Sequence, residues 1–406
     1  MCFLVDRYRH KKCEKVKIWM RRRIRLSTTH KTSGSVLHFH PPPREIIVIM
    51  PSSAPSPTLI SNNSSSSKIQ WVNIANVVAY FVNVIVVFGV QYSDRFPSNA
   101  DQSEKYQMLL SPAAYAFSIW GIIFPAQAIW TVTQILPEYR SQEVVVKGVG
   151  YNYVIVCVAQ AAWSILFAKD CITWSSVAMV SILLPLLKIV WNLSQIDDAK
   201  TATAATRRAP LATEDDEADN EDRNGTQPTS STKIRDYLLF RLPFEIHAAW
   251  IMAATLVNLN VDLVAWDVSV NVRYILAWVS LFVLLGISIS FLLLQGGTTT
   301  AAAGNTIYGN SQWIVPSVLA WAAYAVGKEL TSPKELITKT YEKQDIDMFK
   351  IGAFVAAYSI IAALHVKFIY HKVTEKRNSS NSTSSEEGDV AATDYQPIVD
   401  NPANLL

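Results

Sequence analysis

Long uncharged blocks separated by shorter polar connections set the pattern of this chain. Eight blocks carry it: 71–91, 112–136, 151–168, 174–193, 242–260, 274–295, 313–326 and 351–370. Each approaches the ~20 apolar residues that cross a hydrocarbon core ~30 Å thick, the seventh being the shortest. Within lipid a spanning segment must pair its own backbone groups, which leaves only helices and closed barrels. The blocks lack a strand's alternation and predict helices. The expected fold is an all-α polytopic membrane bundle of about eight transmembrane helices.

The polar stretches divide the chain. Residues 1–70 begin with the basic run "HKKCEKVKIWMRRRIR" and continue into Pro/Ser-rich sequence, a composition that predicts disorder. That region is acid-poor and Arg-rich like an organelle transit peptide, although a start at Met50 is an alternative that would remove the basic run. Asp197 to Asp236 carries the acidic block "ATEDDEADNEDRNG" and is expected to be a solvated, mobile loop. "QGGTTTAAAGNT" reads as a flexible joint before the seventh block, and residues 376–406 read as a disordered acidic tail. That tail holds "YQPI" and "DNPANLL", patterns shared with sorting signals but short enough to arise by chance. An even number of spans puts both termini on one side, and the distribution of Lys and Arg favours the cytosol. The pattern does not name the organelle.

Polar residues inside spans narrow the picture, because burying them in lipid is costly and turns them toward the bundle interior. Asn73, Asn76, Tyr80 and Asn83 recur at helical spacing and share one face. Interhelical hydrogen bonding is the simpler reading of that face; a polar cavity lining is the alternative. In the fifth block, Pro243, His247, Trp250, Ala254 and Asn258 form a second stripe. Glu245 faces elsewhere, placed to snorkel or to pair with Arg241, and a proton-coupling role for Glu245 or His247 is the functional alternative.

Composition and motifs then remove several classes. A net charge of +3 over 406 residues gives no reason to expect a nucleic-acid partner. The four cysteines form no CxxC pair and the seven histidines do not cluster, so no metal site is expected. No nucleophile elbow, zincin helix or phosphate-binding loop occurs, and no catalytic residue is assigned. Of the twelve tryptophans, Trp71, Trp174 and Trp313 stand at block ends, as interfacial belts require. Trp120, Trp163 and Trp250 lie inside. Interior indoles pack cores, but they also form flat apolar walls with an N–H handle, which suit a planar hydrophobic ligand.

These three tryptophans also carry a family resemblance. Pro112 is followed by Trp120, Gly121 and Phe124; "QAAWSILF" runs from Gln160 through Trp163 to Phe167; Trp250 is followed eight residues later by Asn258. In this order and spacing the chain resembles the translocator-protein family, also called tryptophan-rich sensory proteins or peripheral-type benzodiazepine receptors, over about residues 71–262. It departs from the family's pattern in having Gln160 for an asparagine and "LLSPAAY" ahead of the second helix, without a tryptophan and with one proline. The resemblance implies a five-helix core (71–262, interrupted by the loop 197–236), to which residues 263–375 add three helices. It also implies a pocket for a tetrapyrrole, haem or a sterol, with Pro112, Trp120, Phe124, Gln160, Trp163, Trp250 and Asn258 as ligand-binding residues.

Three functions stay open on this basis. The first is a membrane receptor or binding protein for such a ligand, with a role in stress sensing or transport. The second is a secondary transporter whose coupling path uses Glu245, His247 and the polar residues Asn73, Asn76 and Asn83. The third is an enzyme acting on porphyrins, for which no acid/base pair is found. The expected partners are the lipid bilayer, a hydrophobic small molecule and, through small-residue faces at Gly121 and Ala126, a second copy in a homodimer.

Overall fold

A computed structural model describes residues 68–208, 230–294 and 311–392. The expectations for residues 1–67, the acidic block, the "QGGTTTAAAGNT" joint and the two tail motifs fall outside those residues. Among the described residues every regular element is helical: α1 (Trp71–Gln91), α2 (Asn99–Lys105), a 3-10 turn (Ala114–Ile119) running directly into α3 (Trp120–Thr133), a π-helical segment (Val144–Val149), α4 (Asn152–Ala168), α5 (Ile172–Arg208), α6 (Ser230–Phe240), α7 (Leu242–Ala265), α8 (Val270–Leu294), α9 (Ser311–Glu329), α10 (Glu335–Thr340) and α11 (Lys343–Ala392). All eight apolar blocks are helical. Six helical segments are long and apolar enough to cross a membrane, namely α1, the 3-10 turn with α3, α5, α7, α8 and α11. Helix α4, at 17 residues, is shorter, and α9 is not among the six.

Three boundaries differ from expectation. The polar loop does not begin at Asp197: α5 continues to Arg208 and α6 starts at Ser230. The run "DDAKTATAATRR" is rich in alanine, the best helix former, so the helix outlasts its apolar stretch. The tail does not lose structure at residue 376, because α11 continues to Ala392. The second span, finally, begins as a 3-10 turn and becomes an α-helix only at Trp120.

Helix α7 is the hub. It packs on α3, α5, α6, α8 and α9, and every residue from Pro243 to Ala253 is buried. A helix enclosed on all sides cannot turn a polar face to water, so each polar group needs a partner in the protein. Helix α1 solves a smaller version of the problem with its asparagine face. Asn73 Nδ2 donates to the carbonyls of Gln134 (3.2 Å) and Arg140 (3.3 Å), and Asn76 Nδ2 donates to Gln134 Oε1 (3.3 Å). The Tyr80 hydroxyl donates to the Phe124 carbonyl (3.0 Å), and Asn83 Nδ2 donates to Gln160 Oε1 (3.2 Å). These bonds tie α1 to α3, α4 and the turn after α3. In membranes each contributes on the order of 0.6 kcal/mol.

At the start of α7 the partners are charged. Arg241 donates through Nη1 to Asp197 of α5 and through Nε to Glu245 Oε1 (3.1 Å), while the Tyr237 hydroxyl donates to Glu245 Oε2 (2.7 Å). Glu245 is fully buried and Arg241 nearly so. Burial, reinforced by the Glu245 carboxylate, pushes the Tyr237 phenol above its ordinary pKa and keeps it a donor. Burial works against the Arg241 charge, but the neighbouring carboxylates of Glu245 and Asp197 outweigh it and hold its pKa above the usual value. The latch joins helices on both sides of the segment 209–229. Replacing Arg241 by alanine leaves buried carboxylates without their cation and is expected to cost about 3–5 kcal/mol. Thermal unfolding in detergent tests this: Arg241→Ala lowers the midpoint strongly and Arg241→Lys only in part, whereas equal midpoints contradict the latch.

Candidate functional site

The candidate site is assembled around α7. Trp250, Val257 and Asn258 lie on one side of that helix, and against them stand Phe117 of the 3-10 turn, Trp120 of α3 and Trp163 of α4. Together they bound a cavity of about 80 Å³ whose wall is mostly apolar. Pro112 lines its edge just before the 3-10 turn. Each indole has a neighbour that fixes its plane. Phe117 meets Trp250 edge to face (centroids 5.7 Å apart, planes at 82°), and Trp120 leans on Phe124 at 5.3 Å. Trp163 stacks on Phe167 at 5.2 Å, with planes 14° apart. Such pairs favour a defined ring orientation beyond their burial.

The polar groups sit at two ends. Toward the connection between α1 and α3, Asn99, Ser103 and Tyr106 border the cavity. Helix α2 is positioned there by a capping box, in which Ser98 Oγ accepts from the Asp101 amide (3.2 Å) and Asp101 Oδ2 accepts from the Ser98 amide (2.8 Å). The turn between α4 and α5 then holds it in place. Asp170 accepts from Lys105 Nζ and from the Tyr106 hydroxyl, both at 2.5 Å, and Gln102 Nε2 donates to the Phe167 carbonyl (2.7 Å). At the other end, Asn258 belongs to a relay whose direction is fixed by its termini. An indole N–H can only donate, so Trp163 Nε1 donates to Asn258 Oδ1 (3.1 Å). The Asn258 amide must then donate onward, to Ser175 Oγ (3.2 Å) and Ser176 Oγ (2.5 Å). Ser175 donates to the Ile172 carbonyl (2.7 Å), and Ser176 donates to the buried Asp262 carboxylate. The amide of Asn258 is therefore spent on the protein, and the cavity sees an asparagine already engaged.

Of the residues singled out in the sequence, Pro112, Trp120, Trp163, Trp250 and Asn258 are brought to the cavity. Phe124 and Gln160 are not among its lining residues. Phe124 turns toward α1, where its ring tilts against Phe88 (5.4 Å), and Gln160 also faces α1 as the acceptor of Asn83. The asparagine stripe Asn73, Asn76 and Asn83 lies on the α1 interface and borders no part of the cavity. His247 is fully buried behind Trp120, with ring centroids 5.6 Å apart, and its Nδ1 pairs with Gln127 Nε2 (2.8 Å). Gln127 Oε1 in turn accepts from the Tyr153 hydroxyl (3.3 Å). Glu245 belongs to the charged latch at the start of α7.

Sequence reasoning passed over several sets of residues, among them Phe117 and the polar group Asn99, Ser103 and Tyr106. Leu284 of α8 and Ala322 and Val326 of α9 close the cavity on the side away from α3 and α4. The backbone fastens this wall, since the Ala113 amide donates to the Ala325 carbonyl (3.0 Å). Apolar side chains within apolar spans give no sequence signal of such a role. Trp130 was also missed. It is fully buried and meets Tyr153 and Phe244 edge to face, each at 4.9 Å, below the His247–Gln127 pair rather than on the cavity.

A family model described as TSPO-like protein matches residues 70–366. No curated protein and no solved structure matches the chain. The matched span runs from α1 into the apolar part of α11, so it takes in α8, α9 and α11 as well as the five-helix portion that carries the tryptophan spacing. A match over most of the chain, together with these membrane-type helices, makes this multi-pass integral membrane protein a member of the TSPO-like protein family.

Proposed function

We propose that the protein binds a planar, mostly hydrophobic ligand of the tetrapyrrole or sterol type in the cavity framed by Trp120, Trp163 and Trp250. The observation that carries this reading is three interior indoles, from three different helices, around one mainly apolar space. Flat apolar walls with a few polar groups at the ends match a planar molecule that carries polar substituents on its rim. The space of about 80 Å³ is well below the roughly 300–1,000 Å³ of pockets that hold drug-sized ligands, so binding has to widen it. The segment carrying Asn99, Ser103 and Tyr106 is the piece best suited to move, because exposed side chains anchor part of it. Haem or a porphyrin would enter as ligand rather than as a resident cofactor. Sensing and transport are both compatible with such binding, and the receptor reading is preferred because it requires only the cavity.

Titration with protoporphyrin IX, followed by tryptophan quenching, tests the proposal. Trp250→Ala and Trp120→Ala should each weaken binding at least tenfold, whereas Phe81→Ala, which removes an exposed ring on α1 that does not line the cavity, should change it less than threefold. Unchanged affinity in both tryptophan variants rejects the cavity as the binding site. The α9 wall gives an independent check. Ala322→Phe places a ring in the cavity and should abolish quenching while the helical circular dichroism is retained; full binding by this variant counts against the site.

The relay predicts an effect away from the cavity. Asp262→Leu leaves Ser176 with a buried donor and no acceptor, at a cost on the order of 1–3 kcal/mol. That releases Asn258 and Trp163, so affinity should drop about three- to tenfold. Asp262→Asn keeps an acceptor oxygen and should stay near wild type. Equal affinity in all three proteins removes Asp262 from the binding argument.

A further inference from the structure

Outside the cavity, α9 and α11 leave an open groove of about 650 Å³, bounded by Trp313, Trp321, Tyr324, Leu364, His365 and Phe368. Its walls are held open. Trp313 and Phe368 meet edge to face at 6.2 Å, closing one end, and Tyr324 packs edge-on against Phe354 and Tyr358 below. Trp321 donates to the Ala116 carbonyl (3.4 Å) and meets Tyr115 edge to face at 5.0 Å. The rings are thus braced by neighbouring elements rather than folded into the gap. Phe368 and Trp321 keep 53% and 38% of their surface exposed, so the groove opens away from the bundle. Helix α11 is one of the six segments long and apolar enough to cross a membrane, and we take this opening to face lipid. A gap of this size facing hydrocarbon does not stay empty, because its aromatic walls would lose their dispersion partners on one side.

Charge decides which lipid fills it. One turn beyond Phe368, Lys372 sets its Nζ 5.4 Å from the centroid of the Phe368 ring, at the mouth of the groove. Lys367 lies on the neighbouring face and donates to the Leu292 carbonyl of α8 (2.5 Å). His371 precedes Lys372, and no acidic residue occurs on α11 from Met348 to Thr374, Glu375 being the first after them. The segment joins an aromatic slot at membrane depth to a cationic rim at its end. Juxtamembrane Lys/Arg clusters attract anionic headgroups, and aromatic rings favour the interfacial level.

We propose that the α9–α11 groove is a binding site for one anionic phospholipid, with an acyl chain along Trp313, Trp321 and Tyr324 and the phosphate at Lys372. The site is separate from the central cavity and does not depend on what that cavity binds. Native mass spectrometry of the full chain, released from micelles containing equal amounts of phosphatidylglycerol and phosphatidylcholine with identical chains, tests it. The wild type should retain one phosphatidylglycerol at least threefold over phosphatidylcholine. Lys372→Gln should abolish that preference, while Lys339→Gln, an exposed lysine on α10, should leave it unchanged. In liposomes, brominated phosphatidylglycerol should quench the wild type more than a Trp313→Phe/Trp321→Phe variant, and more than brominated phosphatidylcholine does. Equal retention of the two lipids, a preference that survives Lys372→Gln, displacement of the lipid by a sterol, or a second copy of the chain in place of lipid would each overturn the proposal.

Discussion

A stretch of helix with no face left for lipid or water has to find partners for its polar atoms within the protein, and the first half of α7, Pro243 to Ala253, is in that position. The charged start of α7 is neutralised by Arg241, Asp197 and Tyr237; its middle places His247 against Gln127; its end runs through Asn258 and Asp262 to the serines of α5, with Asn260 donating to Ser280 of α8 (2.8 Å). Beyond its own N-cap Arg241, the partners come from α3, α5, α6 and α8. The bonds therefore dictate where α3, α5, α6 and α8 stand around α7, and apolar packing fills the space between. In lipid, where burial of apolar surface does not distinguish one helix arrangement from another, such bonds and close packing are what select the bundle.

Much of the architecture is legible in the sequence because the bilayer imposes a length. All eight apolar blocks became helices. Their polar ends were harder to place, since helix propensity rather than hydropathy carries α5 past Asp197 to Arg208 and α11 past Lys376 to Ala392. At the candidate site, interior position identified Trp120, Trp163 and Trp250, but spacing alone does not say which neighbour a face meets. Phe124 lies one turn beyond Trp120, and Gln160 three residues before Trp163, yet both turn to α1. Trp130 lies near the end of its helix, where spacing cannot tell a belt indole from a core one, and only burial makes the distinction. Leu284, Ala322 and Val326 carry no chemical signature at all.

The five-helix outline suggested by the tryptophan spacing understates how much of the chain builds the site. The family match runs through α9 and into α11, and the cavity wall contributed by α8 and α9 gives that extent a structural meaning. A polar relay holds Trp163 and ring contacts place Trp120 and Trp250, while the opposite wall is made of aliphatic side chains.

The fastening of Ala113 to Ala325 has a consequence for how such a cavity diversifies. Because the segment before α3 leans on α9, α8 and α9 form a back plate behind the frame of rings. A single change of side-chain volume on that plate resizes the chamber without disturbing an indole or a hydrogen bond. Substitutions in α9 can therefore change the chamber's volume while the ring frame stays in place, whereas loss of α9 would remove one of the chamber's walls.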